Sequence, residues 1–261
     1  MRFYLFISFF CFFLFQNIPY ASSLDFKICY EDQEQPPYYN GTGIEVPSHN
    51  QGVYMEILHK VSSDLGLKLS PVRRPWKRCL KLLEQGRVDG VMGVSFLAER
   101  KRIGRYPQKN GALDLSARLA MKSYSIFRMS DHPFIWNGKL SDIKGKLVGV
   151  PLGYSIVPRL ARTGVKVSEH ANTEQLFDML KHGRVEAVVT LEQVGDFLLE
   201  AKSNRFKNII KLEPIIEQKA YYLMIGHGFF KNNSKISQDI WRLISVYRPE
   251  ISASYGIKKS R

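Results

Sequence analysis

The sequence predicts an α/β fold of two βαβαβ lobes, with mainly parallel sheets, two crossing segments between the lobes and a ligand cleft. Three observations predict it. Strand-like and helix-like hydrophobic patterns alternate along the chain, as they do where helices cover both faces of a parallel sheet. The same order of elements then occurs a second time. A patterned segment, Tyr221 to Arg261, follows and is too short to form a lobe of its own.

In the first unit, the spacing of apolar residues alternates between that of a strand and that of a helix. Apolar residues alternate in the first strand, and the third strand is almost continuously apolar, as a strand covered on both faces would be. Gly66 and Gly86 end the two helices, and Pro75 suits the first turn of the second. We predict strands at 24–30, 67–72 and 88–94, and helices at 52–65 and 75–85.

The second unit repeats this order. We predict strands at 147–150, 165–168 and 185–190, and helices at 155–161 and 173–182. Leu83, Gly86-Arg87-Val88-Asp89 and Val91 recur 97 positions later as Leu180, Gly183-Arg184-Val185-Glu186 and Val188. Matching residues within a matching order of elements indicate an internal duplication.

The chain is expected to cross between the lobes twice, near 117–127 and near 217–222. The final segment carries a helical stripe, formed by Ile236, Ile240, Leu243 and Ile244, and should return to complete the first lobe. This gives a first lobe of residues 24–118 plus 223–261 and a second lobe of residues 119–222. A ligand crevice is expected beyond the carboxyl ends of the parallel strands, between the lobes.

Residues 1–23 resemble a secretory signal peptide. Arg2 precedes an apolar run from Phe3 to Phe15, and the small residues Ala21-Ser22-Ser23 follow it. At about 1.5 Å per residue this run is shorter than a hydrocarbon core of about 30 Å. We therefore expect export, cleavage and no stable membrane insertion afterwards.

The net charge limits the classes of binding partner, and the cysteine and histidine content limits the possible disulfides and metal sites. The net charge of +14 suits nucleic acid, an anionic membrane surface or an acidic ligand, and export makes nucleic acid the weakest of these. Cys29 and Cys79 remain after cleavage and form either one disulfide or two buried thiols. The histidines show no metal-ligand spacing, so neither a metal nor a cofactor is expected.

Six short motifs then point to a family. They are Pro36-Pro37-Tyr38, Gly52-Val53-Tyr54-Met55-Glu56, Gly86-Arg87-Val88-Asp89, Gly93-Val94-Ser95 with Glu99-Arg100, the run 143–150, and Leu152-Gly153-Tyr154-Ser155. In this order and spacing the chain resembles the extracytoplasmic solute-binding proteins of ABC transporters, of the polar amino-acid type. The resemblance implies a type 2 periplasmic binding protein fold and a periplasmic monomer. Such a protein closes by a hinge over a small molecule and presents it to a permease or a membrane sensor.

Five residues are expected to hold an anionic group of the ligand. A planar guanidinium at Arg100 can grip a carboxylate through two parallel hydrogen bonds, although an exposed arginine beside Lys101 is the alternative. Gly153-Tyr154-Ser155 lies between a strand end and a helix start, where free N–H groups attract anions, and Ser155 can instead cap the helix. Ser95 would add a hydroxyl from the opposite lobe.

Three further residues are candidates for the body of the ligand. Tyr38 follows a rigid Pro-Pro pair, Trp76 lines the cleft unless it is a core residue, and Glu192 would receive an ammonium group. Two departures from the family put a standard amino-acid ligand in doubt. Leu97 replaces a usual threonine, and Leu191 stands where an aspartate often binds the ammonium.

Two other functions share this scaffold. A dehydratase-like enzyme would use a cleft carboxylate such as Glu192 as an acid or base, but the sequence has no nucleophile elbow, phosphate loop or metal set. A sensory binding module is not separated from a transport protein by fold alone. The sequence favours a non-catalytic protein for a small carboxylate-bearing solute.

Overall fold

A computed structural model describes residues 23–257 of the chain. Apart from Ser23, the predicted signal peptide lies outside the described residues. No helix within residues 23–257 has the length and hydropathy needed to cross a membrane.

The strands include every strand expected from the sequence. They are β1 Asp25–Glu31, β2 Lys68–Arg74, β3 Gly90–Ser95, β4 Gly104–Arg105, β5 Gln108–Lys109, β6 Ala112–Leu113, β7 Ala120–Met129, β8 Leu147–Pro151, β9 Lys166–His170, β10 Ala187–Leu191 and β11 Ile209–Gly226.

The helices alternate with these strands in both halves. They are α1 Val53–Asp64, α2 Trp76–Glu84, α3 Val157–Arg162, α4 Thr173–Lys181, α5 Glu192–Ala201, α6 Ser203–Phe206, α7 His227–Asn232 and α8 Ser234–Ser254, with 3₁₀ turns at Ala98–Arg102, Leu115–Ala117 and Leu140–Ile143.

One sheet runs through the molecule in the order β2-β1-β3-β11-β7-β10-β8-β9. At one end β1 pairs in parallel with β2 and β3, and at the other end β8 pairs in parallel with β9 and β10. Each end therefore has the first strand of its unit in the middle. The mixed α/β architecture with two parallel halves confirms the predicted fold class.

The crossing segments are long strands. β7 and β11 pair antiparallel with each other, and they pair with β10 and β3 respectively. Their shared ladder breaks between Leu212 and Glu217. The predicted lobe boundaries, 24–118 plus 223–261 and 119–222, divide the chain in this region and stay a proposal.

The repeated sequence motif has the same structural role in both units. Gly86 and Gly183 end α2 and α4 with φ of 66° and 65°, a left-handed conformation that glycine adopts without strain. Asp89 then accepts a hydrogen bond from the backbone N–H of Lys27 at the start of β1, at 2.8 Å. Glu186 accepts the equivalent bond from Leu147 at the start of β8, at 3.0 Å. The matched roles support duplication.

Helices cover both faces of the first parallel half. One core contains the buried faces of α1 and α8, including Ile57, Val61, Ile240 and Ile244. The other contains the buried face of α2, where Cys79 is joined to Cys29 of β1 by a disulfide with a Cα–Cα distance of 5.4 Å. Because α8 packs with α1, residues 234–254 lie against the first half, where the helical stripe predicts them.

The second half has its own core, and Gly195 provides a direct test of its packing. Gly195 is buried in α5, and a Cβ there would overlap the ring of Phe127 on β7. Gly195→Ala should lower the free energy of unfolding by about 1 to 3 kcal/mol, as overpacking usually does. Gly228→Ala is the matched control, since nothing lies within 4 Å of a Cβ there. Equal melting temperatures for the two variants would contradict this packing.

Candidate functional site

The carboxyl ends of β1 and β3 meet at one edge of the sheet. Glu31 is the last residue of β1, and Ser95 is the last residue of β3. Arg100 lies in the 3₁₀ turn that follows β3, and Trp76 is the first residue of α2. Since β1 and β3 are parallel neighbours, residues at and just after their carboxyl ends lie at the same edge of the sheet.

The loop between β8 and α3 approaches this edge from the other half of the molecule. The indole N–H of Trp76 donates to the carbonyl oxygen of Gly153 at 3.2 Å. Arg100 donates to the same oxygen at 3.0 Å, and Ser95 donates to the hydroxyl of Ser155 at 2.7 Å. The two halves are thus in direct contact through polar groups.

Arg100 is the central cation of this contact. Its side chain is buried, with 7% of the residue exposed, and its guanidinium stacks against Trp76 at 5.4 Å from the ring centroid. Besides Gly153 it donates to the carbonyl oxygen of Ser95 at 2.9 Å. Among the described residues no carboxylate forms an ion pair with it. Its positive charge is therefore held by backbone dipoles and an aromatic face.

Glu31 lines a small cavity together with Arg100 and is also buried. Its carboxylate accepts hydrogen bonds from Gln35 at 2.7 Å, from Tyr39 at 3.2 Å and from Tyr154 at 3.0 Å. Gln35 also donates to the Tyr154 hydroxyl at 2.9 Å. Tyr154 therefore ties the β8–α3 loop to the end of β1.

Lys122 of β7 is a buried cation that is linked to Glu31 through the side chain of Gln35. Its ammonium donates to the side-chain oxygen of Gln35 at 2.6 Å. Four tyrosine rings surround it, with centroids 4.3 to 5.4 Å away: Tyr38, Tyr39, Tyr54 and Tyr221. Burial raises the pKa of Glu31 and lowers the pKa of Lys122, while each charge favours the ionised form of the other.

Lys219, on the crossing strand β11, contacts the site through Ser155. Lys219 of β11 donates to the Ser155 carbonyl oxygen at 3.3 Å. It forms an ion pair with Glu217 at 3.0 Å, and Glu217 is also paired with Arg159 of α3. The crossing strands therefore contribute charged groups next to the contact between the halves.

Two cavities lie along this contact. The inner one, about 20 Å³, has room for about one water molecule and is lined by Arg100, Glu31, Tyr39, Ser155 and Leu191 among others. The outer one is about 160 Å³, and it shares Glu31, Gln35 and Tyr154 with the inner one. Tyr154 therefore lines both cavities, and the inner one is too small for a solute larger than water unless the halves separate.

The structure brings together six of the eight residues singled out from the sequence: Trp76, Ser95, Arg100, Gly153, Tyr154 and Ser155. Tyr38 does not line the inner cavity. Its ring packs against Tyr54, and its hydroxyl lies 3.4 Å from the carbonyl oxygen of Met121. Glu192 points away to an ion pair with Lys211 at 2.8 Å. The adjacent residue, Leu191, lines the inner cavity instead.

Sequence reasoning missed Glu31 and Lys122, the two buried ionisable residues that Gln35 links. Glu31 follows directly after the predicted first strand, a position that faces the crevice in a parallel sheet, and this signal was available. Tyr39, rather than Tyr38, lines the inner cavity. Lys122 gave no signal, because a lysine inside an apolar strand is usually exposed at an edge.

Comparison with known proteins gives structural matches only. No family model and no curated protein matches the sequence. A histidine kinase sensor domain with similarity to periplasmic binding proteins matches with a TM-score of 0.70 and 18% identity, over 88% of this chain and 95% of that one. An ancestral arginine-binding protein bound to glutamine matches with a TM-score of 0.69 and 21% identity, over 90% of this chain and 98% of that one.

The third structure to note is the GluR0 ligand-binding core from Nostoc punctiforme in complex with L-glutamate. It matches with a TM-score of 0.67 and 13% identity, over 89% of this chain and 100% of that one. At these identities the matches establish the fold. The chain has the two-lobe fold of the periplasmic binding proteins, which confirms the fold implied by the resemblance.

Proposed function

We propose that this protein is an extracytoplasmic solute-binding protein that captures a small carboxylate-bearing solute between its lobes and presents it to an ABC-type permease. One observation carries the proposal. Arg100 is a buried guanidinium with no ion-pair partner among the described residues, and it lies where the two halves meet.

The energetics of Arg100 favour an anionic ligand. A buried charge without a counter-ion is costly, and a pair of charge-assisted hydrogen bonds to a carboxylate offsets much of that cost. The hydroxyls of Ser95 and Ser155 lie beside the guanidinium and can donate to the same anion. A solute with one carboxylate would complete this group of donors.

Closure around the solute is supported by bonds between the halves. Tyr154, Gly153 and Ser155 each bond to residues at the ends of β1 and β3 or at the start of α2. Only β7 and β11 run between the halves in the described chain, so these strands would act as the hinge. The solute shifts the open and closed populations by its preference for the closed form.

Sensing is the second candidate. The match to a histidine kinase sensor domain supports it, because that protein has the same fold. Capture of the solute is common to both functions, and only the partner of the closed form differs. Pull-down of the closed protein with a permease or with a membrane sensor kinase separates them.

We also propose a periplasmic location and a non-catalytic function for the protein. Export through residues 1–23 would place the protein in the periplasm as a monomer, and solute binding would make or break no bond. The enzyme alternative is tested by incubating each bound compound with the protein and measuring its mass. A new mass that requires the protein would replace the binding function with catalysis.

A thermal-shift screen over amino acids, hydroxy acids, dicarboxylates and small peptides tests the proposed function. At a ligand concentration 100 times Kd, the free energy of unfolding rises by about 2.7 kcal/mol, and Tm rises by about 5 to 10 °C. Hits should share a carboxylate and lose their effect when it is replaced by an amide. A screen in which only uncharged or cationic compounds stabilise the protein would contradict the proposal.

A further inference from the structure

A separate cavity lies where the crossing strand β7 begins. Its volume is about 190 Å³, and it shares no lining residue with the inner or the outer cavity. Met121 of β7, Gln193 of α5 and Arg248 of α8 all line it. Because α5 packs in the core of the second half and α8 in that of the first, this cavity has walls from both halves.

Two arginines, Arg118 and Arg248, are the only charged residues among the described residues that line this cavity, which we call the arginine cavity. Arg118 directly follows the 3₁₀ turn Leu115–Ala117, and it donates to the carbonyl oxygen of Leu115 at 2.6 Å. Arg248 donates to the carbonyl oxygen of Ser116 at 3.4 Å. The two guanidinium groups are therefore held at consecutive residues of one turn.

The described part of the chain supplies no carboxylate to balance these two charges. Neither arginine forms an ion pair within residues 23–257, and none of the described residues that line the cavity is acidic. Burial lowers the pKa of the Arg248 guanidinium, and the positive charge of Arg118 lowers it further. The two like charges therefore repel each other, and an anion bound to both would remove this cost.

Two buried polar atoms of the same cavity residues lack a hydrogen-bond partner within residues 23–257. They are the Nε of Arg248, which is a donor, and the Oε1 of Gln193, which is an acceptor. Buried polar atoms without a partner are rare in folded proteins, because each has lost its hydrogen bonds to water. A ligand that offers both acceptors and a donor would pair the two atoms.

Hydrogen phosphate combines these properties. Its oxygens can accept parallel hydrogen bonds from a guanidinium, and its two negative charges match two arginines. Its remaining P–OH group can donate to Oε1 of Gln193. Sulfate has the same charge and shape but no hydroxyl to donate. At about 190 Å³ the cavity has room for several water-sized groups and therefore for such an ion.

We infer that the arginine cavity binds a phosphate group, as inorganic phosphate or as a small phosphate ester, through Arg118, Arg248 and Gln193. This site does not depend on carboxylate capture at Arg100 and would give the protein a second anionic ligand. Because both halves form its walls, bound phosphate would favour the arrangement of the halves that the structure shows.

Calorimetric titration of the unaltered protein with inorganic phosphate tests the inference. About one phosphate should bind per chain, about tenfold more tightly than sulfate at equal ionic strength, since sulfate leaves one hydrogen bond unmade. Equal affinity for sulfate would overturn the assignment to phosphate, and the lack of saturable phosphate binding would overturn the site. Glycerol phosphate separates the two sources: tighter binding than inorganic phosphate supports an ester, and weaker binding supports the free ion.

Arg248→Gln and Arg118→Gln each remove one of the two cations. Phosphate affinity should fall at least about tenfold in each variant, because a charge-assisted pair of hydrogen bonds is lost. Arg242→Gln is the matched control, since Arg242 lies on the same helix as Arg248, is exposed and pairs with Asp239 at 3.1 Å. Equal phosphate affinity in all three variants would overturn the inference.

Arg100→Ala separates the arginine cavity from the proposed solute site. Phosphate affinity should be unchanged in this variant, because Arg100 does not line the arginine cavity. Loss of phosphate binding in Arg100→Ala, with retention in Arg248→Gln, would place the anion at Arg100 and overturn the inference. If Arg248→Gln fails to fold, Arg118→Gln gives the same comparison from a different element of the structure.

Discussion

Arg100→Ala is expected to weaken binding of the carboxylate solute by about 30-fold to 4,000-fold and to remove most of the ligand-induced rise in Tm. Truncating one partner of a buried, hydrogen-bonded charge pair costs about 2 to 5 kcal/mol in binding, which corresponds to this range. Arg100→Lys should retain part of the affinity, because lysine keeps the charge but loses the two parallel bonds. Titration calorimetry on both variants measures the effect.

Arg102→Ala is the control for this experiment. Arg102 lies two residues later in the same turn, is exposed and pairs with Glu84. Exposed ion pairs contribute little, so this variant should bind the solute with unchanged affinity. If the Arg100 variant binds as tightly as the Arg102 variant, Arg100 is not part of the site.

Removal of the disulfide between Cys29 and Cys79 is expected to lower the free energy of unfolding by about 2 to 4 kcal/mol. The bond closes a loop with a sequence separation of 50, which contains α1 and β2. It stabilises the fold mainly because it lowers the conformational entropy of the unfolded chain. Both cysteines are buried, so the reduced thiols remain in an apolar environment that accepts them.

Denaturant unfolding with and without a reductant measures this effect, and the double variant Cys29→Ala/Cys79→Ala should match the reduced protein. Mass spectrometry of the oxidised protein after alkylation identifies the bond independently. Labelling of both cysteines without reduction, together with equal unfolding midpoints, would show that the two residues are free thiols.

Most of the fold follows from local patterns in the sequence. Gly86 and Gly183 each end a helix and precede a repeated carboxylate that anchors a strand, so the duplication was visible in the residues. The extent of β11 was not visible, since Glu213 and Pro214 interrupt its pattern. Its pairing with β7 depends on residues far apart in the chain, which single-sequence periodicity does not record.

Site residues that follow strand ends were predictable from the sequence. Charged residues whose position depends on contacts between distant elements were not. Arg100 and Ser155 lie next to elements that the sequence defines, and the structure brings them to one contact. Glu192 starts α5, where its side chain turns toward Lys211 of β11. Lys122 is buried because Gln35 and four tyrosines from other elements surround it.

A crystal structure of the protein with the tightest-binding carboxylate from the screen tests the central claim most directly. We expect both carboxylate oxygens within hydrogen-bond distance of the Arg100 guanidinium, with Ser95 and Ser155 donating from opposite sides. A solute bound on one half alone, or one whose carboxylate lies away from Arg100, would contradict the proposed capture between the lobes.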